Sequence, residues 1–199
     1  MRNSLWICSV VFLFASCSAL LGIKETRKLD WYAIEKYAKQ YHIPDSESYA
    51  LDTATYRKFV NGMSDPYLRK DVQQPLQVKV FDANGKMMFW LVNCYIGGFP
   101  NLKWDRYGMF DVFPPDKKYF KSVDTTFTLE KDQQFYFYHS QERNLQPTIN
   151  KGMDLYIVVY WARFMDRHSR HLIRMINDYR QKFADRKIEV VYVNDDNWY

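Results

Sequence analysis

The sequence predicts an α/β protein: a mixed central sheet, with a strand–helix–strand unit at the C-terminus and an N-terminal helical and β-hairpin region packed against it. The C-terminal unit is the clearest signal. Residues 154–161 hold the continuous apolar run Leu-Tyr-Ile-Val-Val-Tyr, suited to a strand buried on both faces. Leu172, Ile176, Tyr179 and Phe183 then step along one helical stripe, and Ile188-Glu189-Val190-Val191-Tyr192-Val193 supplies a second strand. Parallel strands joined in this way form a right-handed crossover. The second signal is Leu76-Gln77-Val78-Lys79-Val80 and Met88-Phe89-Trp90-Leu91-Val92 flanking Asn84-Gly85, a two-residue sequence that favours a tight hairpin turn.

The remaining elements follow in chain order. Leu29, Ile34, Tyr37, Ala38 and Tyr41 recur at helical spacing, so a helix is expected within 24–41, stopped by His42-Ile43-Pro44. A shorter helix is expected over 53–63, with Asp52 or Thr53 as N-cap and Gly62 near its end. After the hairpin, Gly97-Gly98, Pro114-Pro115 and dense aromatics predict loops and short strands, with one strand over 134–138. Aromatic residues make up 18% of the chain and hydrophobic residues 47%, enough for a large core and against disorder. A formal charge of +5 is too mild to imply a nucleic-acid partner.

The first residues place Arg2 before an apolar run over 5–14, then Ala15, Ser16 and Cys17, the order of a secretory signal. Leu13-Phe14-Ala15-Ser16-Cys17 resembles the lipobox of bacterial lipoproteins, which implies a signal peptide over 1–16 and palmitate-type acylation of Cys17. The resulting organisation is a lipidated N-terminus and helical region over 17–75 and an α/β region over 76–199, forming one compact domain with 24–75. The resemblance implies a lipid-anchored protein of the bacterial cell envelope. Residues 18–22 lack an acidic cluster, which favours the periplasm-facing side. An uncleaved anchor is the other reading, since 5–23 carries no charge over 19 residues, close to the roughly 20 that span a bilayer. Lys24, Arg27 and Lys28 after that span oppose export of the body.

A buried strand ending in Trp161-Ala162, two further residues, a helix, and a strand ending in Asn194-Asp195-Asp196 is similar to the thioredoxin-like fold, whose active site reads Trp-Ala-x-x-Cys-x-x-Cys at this junction. The resemblance covers about 45 residues and puts Met165 and His168 where the two cysteines would stand. Redox catalysis of that kind needs a low-pKa thiolate and a resolving thiol, and neither side chain supplies one. The hairpin over 76–92 would then furnish the antiparallel strands in a permuted order. With Cys8 and Cys17 assigned to the signal and the lipid, Cys94 is the remaining thiol, expected as a small buried hydrophobe, and no internal disulfide is expected.

Other constellations are weaker. His168 and His171 lie three apart on one helix without a third ligand nearby in sequence, so no metal is expected. Arg163, Arg167 and Arg170 crowd the start of that helix, where an anion could meet backbone amides and guanidinium groups; an ordinary solvated basic face is the other reading. Trp90, Tyr95, Phe99, Trp104, Tyr107, Phe110 and Phe113 are expected in the core, or else as a stacking platform for a glycan or peptide. The sequence therefore points to a non-catalytic binding or scaffolding lipoprotein, without cofactor, tethered through Cys17 and meeting a protein or small-molecule partner. A redox accessory or enzyme using Cys94 or His168 and His171 is the alternative.

Overall fold

The computed structural model describes residues 22–24, 29–98, 100–118, 121–123, 126–138 and 150–199. Cys17, the signal over 1–16 and Phe99 lie outside the described residues. Among those residues, five α-helices and six strands form a mixed α/β fold on one sheet.

Helix α1 (Trp31–Gln40) begins where the Asp30 carboxylate accepts from the Ala33 amide at 3.2 Å, seven residues after the start of the segment predicted at Lys24. It buries Ile34 and Ala38, and His42 leaves it at φ 60°. Strand β1 (Ser48–Leu51) follows. The Asp52 carboxylate, accepting from the amides of Ala54 and Thr55, then starts α2 (Thr53–Asn61) as the cap chemistry predicts, and Gly62 ends it. Helix α3 (Pro66–Val72) has Asp65 at its cap and proline in its first turn, where the missing amide costs nothing.

The predicted hairpin is β2 (Gln77–Asp82) and β3 (Met87–Val92). Its turn is closed by the Asp82 carboxylate, which accepts from the Asn84 and Lys86 amides at 2.9 Å, with Gly85 at φ 72°. Helix α4 (Leu129–Gln133) leads into β4 (Tyr136–Tyr138). The chain ends in β5 (Leu155–Trp161), α5 (Asp166–Lys182) and β6 (Ile188–Asn194).

The sheet order is β3-β2-β5-β6-β1-β4. Strands β5, β6 and β1 are mutually parallel, and the flanking pairs β2–β5, β2–β3 and β1–β4 are antiparallel. All seven residues of β5 are buried, the reason its sequence reads as an unbroken apolar run. Its side chains nevertheless divide by parity. Ile157, Val159 and Trp161 join one core with α1 and α5, while Tyr156, Val158 and Tyr160 join another with α2, α3 and α4. The sheet is thus covered on both faces. Leu172, Ile173, Ile176 and Tyr179 hold α5 to it, each fully buried side chain contributing about 1.5–3 kcal/mol. No helix of the described residues is long and apolar enough to cross a membrane.

Candidate functional site at the carboxyl edge of the sheet

The three parallel strands end side by side: Trp161 of β5 is in register with Asn194 of β6, and Asn194 with Ala50 of β1. Open α/β sheets place ligand-binding groups at this edge, because loops and helix starts converge there. The turn after β5 is Ala162 followed by the 3-10 segment Arg163–Met165. Ser169 on the first turn of α5 donates through its hydroxyl to the Ala162 carbonyl at 2.7 Å and fixes that corner. The turn after β6 is Asp195 and the 3-10 segment Asp196–Trp198.

Arg163 stitches the two turns together. Its amide donates to Asp196 Oδ1 at 2.8 Å and its Nε to Asp196 Oδ2 at 2.6 Å, while Asn194 Nδ2 donates to Oδ2 at 3.2 Å. The neighbouring Asp195 is buried, at 3% exposure, and its Oδ1 has no hydrogen-bond partner among the described residues. Burial, reinforced by the Asp196 charge, pushes the Asp195 carboxyl well above the ordinary carboxylate range. Residues 197–199 continue the turn, the Trp198 amide donating to the Asp195 carbonyl at 2.9 Å. Asn197 Nδ2 donates to the Leu51 carbonyl at 2.8 Å, the Trp198 ring meets Tyr56 edge-on at 5.3 Å, and the Tyr199 ring packs on Phe164 at 5.1 Å. In the turn after β6 one carboxylate is thus a structural counter-ion and the other a buried acid.

Met165 and His168, at the thioredoxin-motif positions, are 2% and 4% exposed and point into the body. His171 is exposed; burial of part of its ring, then the charges of Arg174 and His168, lower its pKa. Among the described residues no cluster of three His, Cys, Asp or Glu could hold a metal ion. The three arginines expected to crowd one spot turn to three neighbours. Arg163 is 8% exposed and takes Asp196, Arg170 Nη2 lies 3.6 Å from Asp166 Oδ1, and the Arg167 guanidinium lies against Gly22. Asp166 also accepts from Lys24 Nζ at 2.9 Å and from the Tyr41 hydroxyl at 2.9 Å. Burial alone would raise the Asp166 pKa, but these hydrogen bonds and the charges of Lys24 and Arg170 outweigh it and hold the carboxyl below its usual range.

One further expectation needs correction. Cys94 is exposed, on the 3-10 turn after β3, because the chain leaves the hairpin there and its Sγ points at Asp71 Oδ1, 3.7 Å away, instead of entering the core. Partial burial and the Asp71 charge raise its thiol pKa. Native protein should therefore label slowly with a maleimide at pH 7, faster as pH rises, and faster again in Asp71→Asn; mass spectrometry of a time course reads all three, and complete resistance to label would refute the exposure. Of the described aromatic stretch, Trp90, Trp104 and Phe110 are buried and Tyr107 alone is exposed, so the stretch is core and forms no platform among these residues.

A second charged centre went unseen in the sequence. Lys79 and Asp132 are both fully buried, with Nζ 2.5 Å from Oδ1, and the Tyr160 hydroxyl donates to the same oxygen at 3.2 Å. The ammonium lies 4.1 Å from the Trp90 ring centroid and 4.2 Å from that of Tyr160. Alternation in β2 makes Gln77 and Lys79 look solvent-facing, but the sheet is covered on both faces and Phe127 and Asp132 pack over Lys79, so both side chains are buried. The wholly apolar β5, a strand buried on both faces, was the signal available.

No protein-family model, curated protein or solved structure matches the chain. The structure defines its class, a mixed α/β sheet covered by helices on both faces.

Proposed function

We propose that the chain is a membrane-tethered, periplasm-facing lipoprotein of the bacterial cell envelope, acylated at Cys17. Its body is a non-catalytic binding or scaffolding module with a thioredoxin-like arrangement that lacks the thiol pair. The observation that carries the reading is the strand-to-helix junction after Trp161-Ala162, where Met165 and His168 stand in place of two cysteines and both face inward. Support for the permuted arrangement comes from the antiparallel hairpin β2–β3 lying next to β5, on the side opposite β6. The carboxyl edge would then be a structural corner, closed by the Arg163–Asp196 pair and by residues 197–199.

In Cys17→Ala the only acceptor for the first lipid is gone, so an unprocessed precursor that takes up no labelled palmitate is expected. Undiminished label would overturn the reading. The exposure of Cys94 favours one second reading, a redox accessory that forms mixed disulfides through a single thiol. Turnover in an insulin-reduction assay that disappears in Cys94→Ser would select it.

A further inference from the structure

Helix α5 exposes Arg167, Arg170, His171 and Arg174, spaced so that they share one outward face. Helix α1 covers the same face of the sheet and turns Trp31, Tyr32, Lys36 and Lys39 outward, with Tyr32 78% exposed. The two helices are joined through Tyr41, whose hydroxyl reaches Asp166, and through Asn177 Nδ2, which donates to the His42 carbonyl. Acids share this face: Asp30, Glu35 and Asp178 are exposed, Asp105 and Asp111 line one hollow with His171, Arg174 and Lys182, and Asp166 is already engaged by Lys24, Tyr41 and Arg170. Bases and interfacial aromatics on one surface are what an anionic bilayer surface attracts.

The tether selects the same face. The Lys24 amide donates to the Phe164 carbonyl at 2.7 Å and its ammonium binds Asp166, so Lys24 is fixed to the start of α5. Seven Cα-to-Cα steps, through six intervening residues, separate Lys24 from Cys17. Fully extended they reach about 25 Å, less than the width of a body with a radius of gyration of about 16 Å. A lipid on Cys17 therefore holds the start of α5 near the membrane and leaves α3, across the sheet, the far side.

We propose that the outward face of α1 and α5 docks on the anionic phospholipid surface of the membrane that holds the anchor, with Trp31 and Tyr32 at headgroup depth and the Arg167, Arg170 and Arg174 guanidinium groups on lipid phosphates. This rests on acylation of Cys17. Tyr32 and Tyr67 make an internal comparison, since they are 78% and 80% exposed and lie on helices covering opposite faces of the sheet. A photoreactive benzoylphenylalanine is placed at either position in the full-length chain, bacterial membranes are illuminated, and phospholipid adducts are counted by mass spectrometry together with the lipid on Cys17. At least five times more adduct is expected at position 32 than at 67. Arg167→Glu/Arg170→Glu/Arg174→Glu should lower the yield at 32 at least threefold, as should the glutamine triple variant, which guards against misfolding by charge reversal. Inorganic phosphate at constant ionic strength should leave the yield unchanged; loss of adduct would assign the stripe to free phosphate and overturn the proposal. Equal yields at both positions, or a yield at 32 indifferent to both triple variants, on protein acylated at Cys17 would overturn the docking and leave the lipoprotein reading standing. Absence of lipid on Cys17 would remove both.

Discussion

Asp132→Ala is expected to destabilise the protein by about 3–5 kcal/mol, the usual cost of leaving a buried charge without its partner. Lys79 is fully buried and has Asp132 Oδ1 at 2.5 Å as its counter-ion, among rings of Trp90, Tyr160 and Phe127. Those rings soften the loss through their negative faces, but each such contact offers no more than about 2 kcal/mol. Burial pushes the Lys79 pKa down and the Asp132 pKa up, each towards neutrality, and the mutual attraction opposes both shifts. Asp132 also sits on the five-residue helix α4 that leads into β4, so the pair pins the last strand of the sheet to its middle. The expected fall in Tm is on the order of 10 °C for a chain of this size. Lys79→Met/Asp132→Leu should restore most of it, because removing both charges also removes their desolvation cost. An Asp132→Ala protein within about 1 kcal/mol of wild type would mean that water reaches the ammonium.

Elements whose signal is local were legible in the sequence. The run of β5, the stripe of α5 and the Asn84-Gly85 turn each declare themselves within a few residues, and Asp52 and Gly62 bracket α2 as cap chemistry requires. Strand β1 escaped because it is four residues long and exists by pairing with β6, about 140 residues away in sequence, so nothing local marks it. Helix α3 was readable, with Asp65 as cap and Pro66 behind it, but offers only Val72 as a fully buried residue and hence no stripe. The site divides in the same way. The Trp161-to-His168 junction follows from order along the chain, whereas the Arg163–Asp196 pair joins groups 33 residues apart and depends on β5 and β6 ending in register. Lys79 was hidden for a different reason: an alternating strand looks half-solvated until its neighbours in the sheet are known.

Asp195, which is buried, and Asp196, which is partly buried, are adjacent and expected to respond in opposite directions. Asp196→Ala strips the Arg163 guanidinium and amide of their acceptor, and with Arg163 only 8% exposed the loss should again be about 3–5 kcal/mol. Among the described residues the charged and titratable groups that couple to Asp195 are Asp196 and the hydroxyls of Tyr56 and Tyr199, with no cation beside them. Its folded-state pKa lies above the unfolded value near 3.9, so above that pH the folded protein keeps a proton that the unfolded chain releases. More protons bound by the folded state means that stability falls as pH rises, by about 1.4 kcal/mol per unit, until the folded pKa is passed and the loss levels off. Below the unfolded pKa both states are protonated and the residue has no effect. Asp195→Asn carries no such proton, so it should match wild type near pH 4 and exceed it by 1 kcal/mol or more at pH 7, a rise in Tm of about 2–4 °C or greater. Urea titrations of both proteins from pH 4 to pH 8 measure the difference. Parallel curves, or an Asp195→Asn protein that is weaker at pH 7, would show that the Asp195 carboxyl is ionised and has a partner.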